Sequence, residues 1–148
     1  MKTILCGALC FAILGLVAAE RFVSKDASDE TLKFYLDQSE LVVKGNMEGA
    51  WMSLSSEIGV IEYHGQYKVQ QVLKGDETLK DQSIDVVIKR FESDEKDKHP
   101  SIATDAESIL FLKSAGEGNS SWRSVDFWFA VQHPSPWMAR SLKRIANP

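Results

Sequence analysis

From Tyr67 to Asp76 the chain reads Tyr-Lys-Val-Gln-Gln-Val-Leu-Lys-Gly-Asp. Tyr67, Val69, Gln71 and Leu73 fall on one side of an extended strand, and Lys68, Gln70, Val72 and Lys74 on the other. Gly75 and Asp76 close the run as a turn, because glycine reaches positive φ and Asp bonds nearby backbone. The period of two recurs in Ser83–Phe91, where Ile84, Val86 and Ile88 alternate with Asp85 and Lys89. It returns in Trp122–Gln132, with Val125, Phe127, Phe129 and Val131 on one face. Ser108–Lys113 is apolar through its centre and reads as a buried strand. Glu40–Met47 has apolar residues on both faces, and Gly45 inside it predicts a bulge or sharp bend.

A second period appears at the two ends. Leu32, Tyr35 and Leu36 form a helical stripe that predicts a helix over 29–38, capped by Ser28 or Asp29. Met138, Leu142 and Ile145 form another over 136–146, with Ser135 as cap and Pro136 at the first helical position. A helix that short is marginal alone, so it must dock. The expected docking surface is the outer face of the last strand around Trp128, or a barrel end, with the basic residues toward solvent.

The elements imply a mainly β fold with five strands: Glu40–Met47, Ile58–Leu73, Ser83–Phe91, Ser108–Lys113 and Trp122–Gln132. No helix of crossover length separates them, which predicts antiparallel pairing. A long, bent early strand points to a five-stranded antiparallel closed barrel of the oligonucleotide/oligosaccharide-binding (OB) type, with short N-terminal and C-terminal helices. A β-sandwich is the alternative. Glu92–Ala106, with its run of charges and Pro100, reads as a long exposed loop.

Residues 1–19 carry a different signal. Lys2, the apolar run Ile4–Val17 and the small residues Val17-Ala18-Ala19 read as a secretory signal peptide cleaved before Glu20. The run is too short to span a bilayer, so no stable membrane anchor is expected after cleavage. The mature chain, 148 residues less 19, is then a single domain over 20–148: helix 29–38, barrel 39–132 and C-terminal helix 136–146. The expected location is secreted or periplasmic. Both cysteines, Cys6 and Cys10, lie inside the signal, so a disulfide framework is excluded. The whole chain has 17 basic and 21 acidic residues, for a formal net charge of −4. That balance argues against nucleic acid, whose phosphates require a basic surface.

Three segments carry a family likeness: Ser39-Glu40-Leu41-Val42-Val43-Lys44-Gly45, the Tyr67–Asp76 run and Ser108-Ile109-Leu110-Phe111-Leu112-Lys113. They resemble a pattern in small exported bacterial proteins and look like the barrel shared by netrin-like modules and tissue inhibitors of metalloproteinases. The likeness covers about Ser39 to Val131 and rests on Gly45, Val72, Leu73, Gly75 and Phe111, which determine fold. The resemblance implies a barrel. The inhibitors reach a catalytic metal through an N-terminal Cys, which a chain starting at Glu20 lacks. No functional residue of the family therefore maps onto this sequence.

No nucleophile-elbow, zincin or phosphate-loop pattern occurs, and no catalytic residue, metal ligand or cofactor is expected. Glu62 and His64, two apart on one strand, are the nearest approach to a metal pair. Trp128, Arg123 and Trp122 make the candidate interaction face, because aromatic and guanidinium planes stack on sugars, bases and peptides. The expected function is a non-enzymatic binding or interaction module for a protein, peptide or glycan outside the cytoplasm. The alternatives are a small extracytoplasmic enzyme or metal-binding protein, or a protein inhibitor of netrin-like fold. Intact-mass measurement of the exported protein is expected to give a chain starting at Glu20. Retention of Met1–Ala19, or a lipid mass on Cys10, would contradict the signal.

Overall fold

A computed structural model describes residues 28–91, 106–126 and 130–146. The proposed signal segment, the charge run after Phe91 and Trp128 lie outside the described residues. Helix α1 is Asp29–Gln38. Strands β1 (Leu41–Leu54), β2 (Val60–Lys74), β3 (Ser83–Phe91), β4 (Glu107–Ser114), β5 (Trp122–Ser124) and β6 (Val131–Gln132) follow, and helix α2 is Pro136–Ala146. The fold is mainly β.

The strands run around the barrel in the order β1-β2-β3-β5-β4, and β4 returns to β1 to close it. All neighbours are antiparallel except β3 and β5, which are parallel at Val86↔Trp122 and Val87↔Arg123. The barrel is therefore mixed, not purely antiparallel as the short connections imply. The reason is parity. Direction cannot alternate all the way round a closed ring with an odd number of strands, so one adjacent pair must be parallel. The chain meets this by carrying β4 across to β1 and then inserting β5 between β3 and β4.

Two further differences concern length. β1 continues to Leu54, well past the Met47 expected from its pattern. The expected last strand is seen in two pieces: β5 and β6 both lie along β4, and residues 127–129 between them lie outside the described residues. Phe111 spans the gap, accepting from the Val125 amide (3.1 Å) and donating to the Ala130 carbonyl (2.9 Å).

Two apolar cores explain the strand composition. Inside the barrel, Leu41, Val43, Tyr67, Val69, Ile84, Val86, Ile88, Leu110 and Leu112 pack together. Outside, Leu32 and Leu36 of α1 and Met138 and Leu142 of α2 cover Val42, Ile109 and Phe111. β1 and β4 are thus buried on both faces, which is why Leu41–Val43 and Ile109–Leu112 are continuous apolar runs. α2 docks there, over the outer face of β1 and β4 with Leu73 and Val125 beside it; Trp128, the centre of the expected docking surface, lies outside the described residues. Ser141 is buried beside Leu142. Val72 faces the interior, while Leu73 packs against the helices.

Polar groups tie the layers together. The buried Tyr67 hydroxyl donates to the Ser108 carbonyl at 2.6 Å, linking β2 to β4 through the barrel interior. Burial raises its pKa, since the phenolate would lose its hydration. Lys74 Nζ donates to the carbonyls of Leu36 (2.5 Å) and Ser39 (2.6 Å). It thereby satisfies orphan acceptors at the C-terminus of α1, where a cation also opposes the helix dipole. Arg144 of α2 pairs with Asp29 of α1.

Gly45 sits where the barrel bends. A Cβ there would lie 1.9 Å from the Lys68 carbonyl oxygen and 3.1 Å from the Tyr67 ring. Register shifts between Lys44 and Gly45 and between Met47 and Gly49 mark the same bend. Gly75, at φ +108°, turns the end of β2 against the Glu40 carbonyl. Gly45→Ala is expected to cost several kcal/mol in urea unfolding, because backbone, not a yielding side chain, occupies the Cβ position. A variant within about 0.5 kcal/mol of the parent would show that the close approach is absent.

Candidate functional site

β1 pairs with β4 only over Leu41–Asn46, but with β2 as far as Leu54↔Ile61. β2 in turn holds β3 out to Val60↔Phe91. A three-stranded extension therefore projects past the point where the barrel closes. From Met47 to Leu54 the outer edge of β1 carries no partner strand among the described residues. It presents a row of open backbone donors and acceptors.

The two faces of this extension differ. On one, Trp51 stacks on His64 with ring centroids 4.2 Å apart and planes 7° from parallel. Ser53 Oγ lies 3.0 Å from His64 Nε2, and Glu62 Oε2 lies 3.3 Å from the same nitrogen. Ser55 donates to Glu62 Oε1 at 3.3 Å, and Lys89 pairs with both Glu57 and Glu62. Lys89 is thus a half-buried ion-pair partner and not a free outward charge. The other face is set by the pairs Met52↔Tyr63 and Leu54↔Ile61. It is apolar, and Met52, Leu54 and the loop residue Ile58 are exposed. Leu54 keeps 82% of its surface open, and Trp51 on the polar face keeps 63%.

Serine, histidine and glutamate together suggest nucleophile activation, but the geometry is wrong for it. A relay needs the acid on one ring nitrogen and the hydroxyl on the other. Here both approach Nε2. The trio is a cross-strand polar network. Glu62 and His64 do come together as a pair, but no group of three or more His, Cys, Asp or Glu among the described residues is placed to hold a metal.

The predicted interaction face divides. Trp122 is half-buried and packs against the barrel interior, whereas Arg123 is exposed on the outer side of β5. The two therefore point to opposite faces. Arg123 instead joins Lys89, Lys113, Ser124, Val125 and Asp126 around a cavity of about 230 Å³. At its edge, Tyr35 of α1 packs edge-on against Phe111, with centroids 6.2 Å apart. Burial, with a hydrogen bond to Asp126 and the charge of that carboxylate, pushes the Tyr35 phenol up to about 12. Asp126 also accepts from the Ala130 amide at 2.9 Å.

The geometry defines a closed, mixed five-stranded barrel of OB-like form, flanked by two short helices and extended on one side by a partly unpaired sheet. No family model and no curated protein matches the chain. From the sequence, Ala50–Glu57 could equally continue the strand or form a loop, because Ala50-Trp51-Met52-Ser53-Leu54 alternates only weakly. Its one signal was a cluster of apolar residues, Trp51, Met52, Leu54 and Ile58, that no pattern assigned to a core.

The raised Tyr35 value has a consequence at high pH. The folded-state pKa lies above the ordinary 10.0, so folding favours the neutral phenol. That contribution is complete below about pH 10 and is lost as pH rises toward about 12. Denaturation from pH 9 to 12 is expected to show a smaller alkaline loss of stability in Tyr35→Phe than in the parent. Equal losses would mean that neither burial nor Asp126 raises the Tyr35 pKa.

Proposed function

We propose that this chain is an exported, non-enzymatic interaction module whose sheet extension binds a partner protein. The observation that carries the reading is the edge of β1 from Met47 to Leu54, which has no partner strand among the described residues, beside exposed Trp51, Met52, Leu54 and Ile58. Proteins blunt exposed edges with lysine, proline or a covering element. Gly49 to Leu54 holds no charge and no proline. Such an edge suits strand addition, in which a peptide gains main-chain hydrogen bonds and seats alternate side chains on one face. The apolar face at Met52 and Leu54 would set which side chains are accepted.

Export is part of the proposal and rests on Met1–Ala19 as a cleaved signal, which places the partner in the periplasm or outside the cell. The netrin-like likeness belongs here too. It rests on Gly45, the Val-Leu-Lys-Gly turn and the Leu-Phe-Leu strand, and it is compatible with a protein ligand.

The test places a photo-crosslinking residue at Leu54 or, as control, at exposed Gln70 in the protein expressed by its own host. A discrete protein adduct is expected from position 54 alone, and it should vanish when Met52 and Ile58 are replaced by Glu. Those substitutions are on exposed sites and should change unfolding free energy by no more than about 0.5 kcal/mol each. The same adducts from both positions, or none from either, would overturn the reading.

A further inference from the structure

We propose that the cavity between β3, β4 and β5 binds a tetrahedral oxyanion of the phosphate or sulfate class. The site is on the outer barrel wall and does not depend on the sheet extension. Lys113 of β4 and Arg123 of β5 are direct partners in the antiparallel ladder. Directly paired residues share a face with their side chains close together, so two cations here repel. Both are exposed, and neither takes a hydrogen bond or ion pair among the described residues.

The other charged groups around the cavity are already engaged. Lys89 is matched by Glu57 and Glu62. Asp126 holds the Ala130 amide and the Tyr35 phenol. Asp126 keeps its negative charge beside them, so Lys113 and Arg123 leave the cavity lining one positive charge in excess, on a chain whose formal net charge is −4. A tetrahedral oxyanion presents an oxygen to each of these cations and to Ser124 at once. The donors also suit it. A guanidinium offers two parallel N–H groups to two oxygens, and an ammonium supplies a compact charge beside it. The buried Ser124 hydroxyl accepts from the Lys89 amide at 3.2 Å, so its proton remains to be donated. At about 230 Å³ the cavity is smaller than the roughly 300–1,000 Å³ of most small-molecule pockets. It fits a bare oxyanion or the terminal group of a larger molecule.

The experiment is an amide NMR titration of the protein with inorganic phosphate, sulfate and acetate, chloride being adjusted to hold ionic strength constant. Saturable shifts confined to the neighbourhood of Lys89, Lys113 and Arg123 to Asp126 are expected for phosphate and sulfate. Acetate should bind more weakly. Arg123→Gln with Lys113→Gln should weaken phosphate at least about tenfold, while Lys33→Gln on α1 should leave it unchanged. Without phosphate, either single variant should melt at or above the parent temperature, because the repulsion is relieved; a fall would mean that the pair is not repulsive. Co-sedimentation with phosphatidylglycerol vesicles separates the sources: pelleting that free phosphate abolishes assigns the site to a lipid headgroup. Shifts spread over all lysines, or phosphate affinity unchanged in the double variant, would identify an adventitious ion only and overturn the proposal.

Discussion

The short stretch Leu41–Asn46 bears the whole architecture, because it is paired on both edges and, at Leu41 to Val43, covered on both faces. β2 lies along one edge and β4 along the other. Leu41 and Val43 point into the barrel, and Val42 points under the helices. Losing this segment would open the ring and uncover the helical layer together. The Lys74 ammonium, bound to the Leu36 and Ser39 carbonyls, couples the end of β2 to the end of α1 at the same corner. Barrel and helices therefore share one set of anchors.

Closure also dictates strand direction. A ring of five must contain one parallel neighbour pair, and the short β3–β5 contact supplies it over only two residue pairs. Parallel pairing is somewhat weaker per residue than antiparallel. Keeping it short limits that cost, and the wall there is thin. The cavity lined by Lys89, Arg123 and Ser124 opens beside that contact.

Much of the fold could be read from the residues. Alternation in Ser83–Phe91 placed Val86 inside, and the double-sided apolar runs at Leu41–Val43 and Ile109–Leu112 foretold strands with two buried faces. The helix stripes were legible too, since Leu32, Leu36, Met138 and Leu142 sit together beneath α1 and α2. What could not be read was long-range. The parallel pair follows from counting strands round a closed ring, not from any local pattern. The bond from the Ala130 amide to Asp126 was not legible either, since Asp126 looks locally like an ordinary polar residue in a strand. The site was harder still. Trp122 and Arg123 are adjacent in sequence, and neighbours in a strand point apart. Trp51 and His64 meet only because β1 overruns its closure with β4.

The overrun is three strands wide, since β3 supports β2 as β2 supports β1. A lone hairpin in water is marginally stable, and its edge fluctuates. Backed by a second and third strand, the edge is already fixed in twist and spacing. A segment adding to it would lose only its own freedom on binding, because the receiving strand has been ordered by folding. The barrel thus acts as a jig that holds a template in working form.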